Sequence, residues 1–202
     1  MIRVLLLASL LFAVPGACVS APRTDPAQLS AGSFTLDPAH ASVTWRIRHM
    51  GLSWYTARFD TAEASLEFDP DDPAGTRLTA IVDASSVSTG DQDFDATLRG
   101  PAWFAAERHP QIVFRSTLIE PTGETTGRVH GDLTLKGVTR EIILETEFYG
   151  GLFNPLEGRQ ALGFGADVTL DRTDFGVGSL PGNLIGDEVR IQIEAEFLQG
   201  ED

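Results

Sequence analysis

The stretch from Gly131 to Phe148 leaves this chain little choice of fold. Leu133 and Leu135 alternate with polar neighbours up to Gly137, and Val138 follows directly across the glycine. The run Ile142-Ile143-Leu144-Glu145-Thr146-Glu147-Phe148 then resumes the alternation. A period of two residues lines up one set of side chains on one face of an extended strand, and a glycine between two such runs marks a tight reversal. The segment reads as a β-hairpin with one apolar face.

The same pattern recurs from Ser33 onward. Phe34 and Leu36 open a strand that Asp37-Pro38 is expected to stop, and Val43, Trp45 and Ile47 share a face opposite Thr44, Arg46 and Arg48. Ala62, Ala64, Leu66 and Phe68 precede the loop Asp69-Pro70-Asp71-Asp72-Pro73. Leu78, Ala80, Val82 and Ala84 alternate with Thr79, Ile81 and Asp83, a strand covered on both faces. Further runs carry Ile112, Phe114, Ser116 and Leu118, then Leu162 to Leu170, then Val189 to Phe197. Short strands with polar links predict an all-β antiparallel fold, sandwich or barrel. The pattern gives about eight to nine strands, and long strands with small inward residues (Ala62, Ala64, Ala80, Ala166) favour a barrel, whose lumen can stay partly unfilled where a sandwich core must close to native density. One segment breaks the pattern. Asp91 is placed to cap a short helix through Arg99, with Phe94 and Leu98 one turn apart, and Gly100-Pro101 stops it before Trp103 and Phe104. Inserted between strands, it reads either as a plug near one mouth or as an aromatic pair completing the core.

The 202 residues include 29 Asp and Glu against 15 Lys and Arg, a net charge of -14. Such a surface repels phosphate backbones, so nucleic acid is excluded as a partner. At the N-terminus, Arg3 precedes an apolar run from Val4 to Val14 that is too short to span a bilayer. Residues 1–18 read as a signal peptide of lipoprotein type ending at the only cysteine, Cys18, the expected lipidation site. Cleavage after Ala21 is the competing reading, which Pro22 disfavours. Residues 19–32 read as a flexible tether and 33–199 as the barrel domain. The expected location is the periplasm or cell envelope, with anchoring to the membrane through Cys18.

Catalytic chemistry finds little purchase. His40, His49, His109 and His130 show no His-x-His or His-x-x-x-His spacing, so no metal site is expected. His49 continues the inward face of Val43, Trp45 and Ile47, near a mouth. No serine sits in a Gly-x-Ser-x-Gly elbow, and Gly163-x-Gly165 and Gly176-x-Gly178 precede no helix that would make them phosphate loops. Asp95 with Arg99, and Arg172 with Asp174, are expected as charge pairs at the barrel ends.

Five separated segments resemble the YceI-like family in its order: Leu36-Asp37-Pro38-Ala39-His40-Ala41-Ser42-Val43 with Ile47 to Gly51; Phe68 to Pro73 with Asp83 to Gly90; Asp95 to Arg99 with Trp103-Phe104 and His109 to Phe114; the hairpin; and Leu170 to Gly176. Together they span Phe34 to Phe197. Trp45 stands where the family usually has Phe, Trp54 to Phe59 lacks a common Gly, and Gly100 to Phe104 is smoother than the usual Ser-x-x-Phe-Phe.

The resemblance implies a lipocalin-like barrel that holds a long isoprenoid lipid, a polyprenol or the tail of an isoprenoid quinone, without catalytic residues, metal or cofactor. Each buried methylene contributes about 0.8 kcal/mol, so apolar walls alone supply the driving force. The expected lumen residues are Val43, Trp45, Ile47, Phe59, Leu66, Phe68, Phe94, Leu98, Trp103, Phe104, Ile112, Phe114, Leu133, Leu135, Leu144, Phe148, Phe164 and Phe175. His49, Arg99 and Arg172 are the expected headgroup contacts at a mouth. Two other readings are an enzyme of isoprenoid or quinone chemistry, which needs a titratable cluster in the lumen, and a filled barrel acting as an interaction module, which needs a packed interior. Whether two barrels pair as a homodimer stays open at this level.

Overall fold

Alternating side chains demand a sheet with one face shielded from water, and here the sheet shields that face by curling onto itself. The computed structural model describes residues 21–200; the signal segment and Cys18 lie outside them. The strands are β1 (Gly32–His49), β2 (Ser53–Phe59), β3 (Ala62–Phe68), β4 (Arg77–Asp83), β5 (Val87–Ser88), β6 (Gln111–Pro121), β7 (Thr126–Leu135), β8 (Val138–Asn154), β9 (Arg159–Asp171) and β10 (Ile185–Gln199), with helix α1 (Gln92–Arg99) between β5 and β6. β2 and β3 lie end to end beside β1, and β4 and β5 do the same beside them. β10 pairs with β1 from Phe34↔Gln199 to His49↔Ile185. The result is a closed antiparallel barrel of eight strands in up-and-down order.

The hairpin forms as read. Leu135 pairs with Val138 around Lys136 and Gly137, at φ 52° and 79°. Two consecutive positive φ values define the tight turn whose twist matches that of the strands. Gly131 has a separate role, because a Cβ there would collide with the Arg115 carbonyl oxygen and approach the Phe114 ring to 2.5 Å. Asp91 caps α1 as expected, accepting from the backbone N–H of Asp93 and Phe94.

Three expectations need correction. Asp37-Pro38 does not stop a strand. β1 runs through it, and Asp37 to His40 bulge opposite Glu196, between the pairs Leu36↔Phe197 and Ala41↔Ala195. The bulge gives Pro38 a place without a ladder donor and moves the inward positions from Phe34 and Leu36 to Val43, Trp45 and Ile47. Asp37 holds it by accepting from the Ala39 N–H (2.9 Å) and meeting His40 Nδ1 at 2.8 Å. Leu118 does not share the face of Phe114. A second irregularity between Ser116 and Leu118 turns Leu118 outward, 55% exposed, and brings Ile119 against the core.

The stretch 19–32 is not a free tether over its described part. Arg23 and Gly151 exchange backbone hydrogen bonds of 2.8 and 2.9 Å, and Ser30 N–H donates to Gln160 Oε1 at 3.0 Å. Leu29 is buried against Phe34, Leu66, Phe68, Leu162 and Phe197. An irregular segment carries no periodicity to reveal it, but it can still cap the apolar end of a barrel.

Two outcomes test this framework. Gly131→Ala should destabilise the protein by about 1–3 kcal/mol, the usual range for overpacking, read from urea unfolding midpoints at unchanged slope. The Asp37 hydrogen bond raises the His40 pKa above 6.5, and His40 lowers that of Asp37 below 3.8. The histidine's contribution is therefore complete below about pH 6.5 and fades as pH rises through the raised value, while the aspartate's fades only as pH falls through its lowered one. The melting-temperature gap between wild type and His40→Ala should be widest between those limits and narrow as pH rises through the histidine's raised value.

Candidate functional site

Inward side chains from around the barrel leave a cavity of about 840 Å³. That lies near the upper end of the roughly 300–1,000 Å³ usual for small-molecule sites. β1 contributes Val43, Trp45 and Ile47, β2 and β3 contribute Phe59, Leu66 and Phe68, and β6 contributes Ile112 and Phe114. Leu133 and Leu135 come from β7, Leu144 and Phe148 from β8, Phe164 from β9, and Phe175 from the turn after it. Phe94, Leu98, Trp103 and Phe104 close in from α1 and the segment behind it. Each of the residues expected to line the lumen therefore faces this space. Tyr55, Ile119, Val129, Ile142, Val177 and Pro26 face it as well, and were not foreseen as lining residues. Counting back by twos from Leu133 and Leu144 reaches Val129 and Ile142; Ile119 was hidden by the β6 irregularity, and Pro26 lies in a segment without periodicity.

One end of the barrel is built by α1 and its aromatic successors. Phe104 stands edge-on between Trp45 and Phe59, at centroid separations of 6.4 and 5.3 Å, and Phe94 meets Tyr55 at 5.6 Å. Leu98 is 1% exposed. Lys136 at the hairpin tip ties this plug in place, its Nζ donating to the Ala102 and Gly176 carbonyls at 3.2 and 2.6 Å. Burial pushes the Lys136 ammonium below the ordinary lysine pKa. At the other end a second aromatic row, Phe148 to Phe164 to Phe197, packs at 5.0 and 5.8 Å. The lining reaches exposed residues at both ends, His49 and Ser53 beside α1, Gly123 and Glu124 opposite.

The three mouth candidates separate. His49 lies on the rim as expected. Arg99 does not reach the cavity and does not pair with Asp95; its guanidinium approaches the Ser85 carbonyl at 3.5 Å, while Asp95 accepts from the N–H and hydroxyl of Thr89 at 2.7 and 2.6 Å. The buried carboxylate is satisfied locally, which removes the reason for the pair. Arg172 borders the cavity but pairs with Asp187 at 2.7 Å rather than with Asp174. It is 4% exposed, and it donates to the carbonyls of Val177, Gly178, Leu180, Ile185 and Gly186 at 2.7 to 3.1 Å. Its donors organise the loop at the barrel's end and are not free for a ligand.

Titratable groups with displaced pKa values stand elsewhere. Asp37, His40, Arg128, Lys136, Tyr149 and Asp171 all lie outside the cavity lining. Asp37, His40 and Glu196 bring one ligand atom each within 4.8 Å at the β1 bulge. That grouping serves the bulge through the Asp37–His40 bond. Gly163 and Gly165 make room on the outer wall for Tyr149, whose hydroxyl donates to Glu194 at 3.1 Å.

Comparison with known proteins agrees with this geometry. A UPF0312 protein of Staphylococcus aureus strain N315 is 30% identical over 170 residues, covering 82% of this chain and 96% of its own length. The crystal structure of Burkholderia cenocepacia BcnA superposes with a TM-score of 0.72 at 24% identity, covering 80% of this chain and 98% of that one. A polyisoprenoid binding domain from Saccharophagus degradans, implicated in plant cell wall breakdown, superposes with a TM-score of 0.65 at 14% identity, covering 85% and 100%. The model of the YceI-like domain matches residues 34–197, from the first inward phenylalanine of β1 to the last of β10. A closed barrel with an apolar lumen, matched over that whole span, makes this chain a member of the YceI-like family.

Proposed function

We propose that the barrel binds a long-chain isoprenoid lipid in its lumen and carries, stores or sequesters it in the cell envelope. The observation that carries this reading is the cavity itself, about 840 Å³ walled by aliphatic and aromatic side chains. The space opens at both ends, so without a guest its apolar walls face water, and an apolar occupant gains about 25 cal/mol for each Å² it covers. At roughly 30 Å³ for a water-sized group, the space holds on the order of 25–30 carbon centres. A flexible, branched hydrocarbon matches such a lumen better than a rigid polar molecule does. The polyisoprenoid binding domain with the same fold supports the choice of lipid class.

Export by residues 1–18 and lipidation of Cys18 are part of the same proposal, placing the barrel at the envelope face where such lipids reside. Between polyprenol and isoprenoid quinone tail, the walls impose no preference. Binding is favoured over catalysis because the displaced titratable groups lie away from the lining, and over a filled module because the interior keeps room for a guest.

The test is to fill the lumen. Ala80 and Ala166 both face it, and Ala80→Trp with Ala166→Phe should remove much of the space at a tolerable overpacking cost of about 1–3 kcal/mol per site. Wild type should take up a tritiated polyprenol at one per barrel, and the double variant should bind at least tenfold more weakly with its circular dichroism unchanged. Equal uptake by both proteins, or none by wild type stripped of endogenous lipid, would overturn the proposal.

A further inference from the structure

Two turns meet at the α1 end of the barrel, beside the cavity. Met50 N–H, between β1 and β2, donates to the Leu184 carbonyl just before β10 at 2.8 Å. The meeting leaves four large apolar side chains in water: Met50 at 51% exposure, Leu52 at 82%, Leu180 at 44% and Leu184 at 39%. Leu180 also lines the cavity, as do His49 and Ser53 of the adjoining turn. The apolar tips therefore belong to the rim of the lumen.

A cationic cluster lies immediately below them on the outer wall. The guanidinium carbons of Arg46, Arg48 and Arg190 stand 5.1, 5.0 and 4.7 Å from the centre of the Trp54 ring. Register places them there, with Arg46 opposite Arg190 across β1 and β10, and Arg48 opposite Trp54 across β1 and β2. Arg48 Nη2 donates to the Gly51 carbonyl at 2.8 Å, joining the cluster to the exposed turn. Among the described residues, Arg190 pairs with Glu188 at 2.9 Å, while Arg46 and Arg48 form no ion pair with a carboxylate. Three of the chain's 15 basic residues thus surround one indole in a protein with 29 acidic ones.

Apolar tips beyond a belt of arginine and tryptophan fit the water–bilayer interface. Leucine and methionine enter the acyl boundary, the indole sits among the headgroups, and guanidinium groups meet lipid phosphates. A net charge of -14 repels an anionic surface from most of the molecule, so complementarity singles out this end. We propose that the Met50–Leu52 turn and the Leu180–Leu184 loop dock on an anionic lipid bilayer, holding the rim of the cavity at the membrane. The docking concerns the outer surface and stands whatever occupies the lumen.

The test uses the full chain with Cys18→Ser, which removes the only cysteine. A polarity-sensitive fluorophore is attached at Leu52→Cys or, at the opposite end, at Leu156→Cys, where the native side chain is 92% exposed. Each protein is mixed with phosphatidylcholine vesicles, with or without phosphatidylglycerol. The label at position 52 should shift to the blue and escape aqueous quenchers only with phosphatidylglycerol present, while the label at 156 stays in water. Replacing Arg46 and Arg48 by Gln should weaken binding about fivefold per guanidinium removed. Added salt should release the unsubstituted protein, which controls for misfolding of the double variant. Insertion of position 156 instead, a vesicle-independent shift at position 52 that grows with protein concentration and signals a second copy, or no shift in either composition would each overturn the proposal.

Discussion

Pairing of β10 with β1 is the contact on which the rest depends. It converts an open sheet into a cylinder, so the long strands are paired on both sides, apart from their bulges, without a filled core pressing them together. A sandwich with this much unfilled interior would collapse, whereas a closed ladder holds its circumference by hydrogen bonding. The lumen is therefore a property of the closure, and side chains decide only how much of it is filled. Small residues such as Ala64, Ala80 and Ala166 on the lining keep the space open, and aromatic rows narrow it toward both ends.

The ends are built from different materials. At one, α1 and the Trp103-Phe104 pair lie across the strands, tied down by Lys136 and by the loop that Arg172 gathers. At the other, a short irregular segment lays Leu29 over the phenylalanines of β1, β3 and β10. Neither end relies on a disulfide, and the plug is held by hydrogen bonds to backbone carbonyls. A buried guanidinium serving five carbonyls and one carboxylate is hard to displace, because each unmet acceptor left behind costs about 1–3 kcal/mol.

Much of this was legible in the residues. The hairpin around Lys136-Gly137, the Asp91 cap and the inward faces of the strands follow from period and turn chemistry, which act locally and leave a local trace. The inward side chains of Trp45, Phe114 and Leu144 could be named for that reason. What escaped lacks such a trace. The bulge at Asp37 to His40 and the irregularity before Leu118 change which residues face inward without changing composition, so alternation read straight through them errs by one position. The docking of Leu29 depends on where the barrel's end lies in space. Arg172 was assigned to Asp174 by proximity along the chain, yet its partners are carbonyls that the fold brings round it. Arg99 was misread in the same way, since the Thr89 hydroxyl and N–H reach Asp95 first.

The central claim is that the lumen is occupied by a long apolar guest, and the most direct measurement is the native mass of the protein isolated from its own cells under gentle conditions. The mass should exceed that of the polypeptide by one isoprenoid lipid per barrel, the excess should vanish on organic extraction, and the extract should contain that lipid. A mass equal to the bare polypeptide, together with failure to take up added polyprenol or quinone, would contradict the claim and return the barrel to the class of interaction modules.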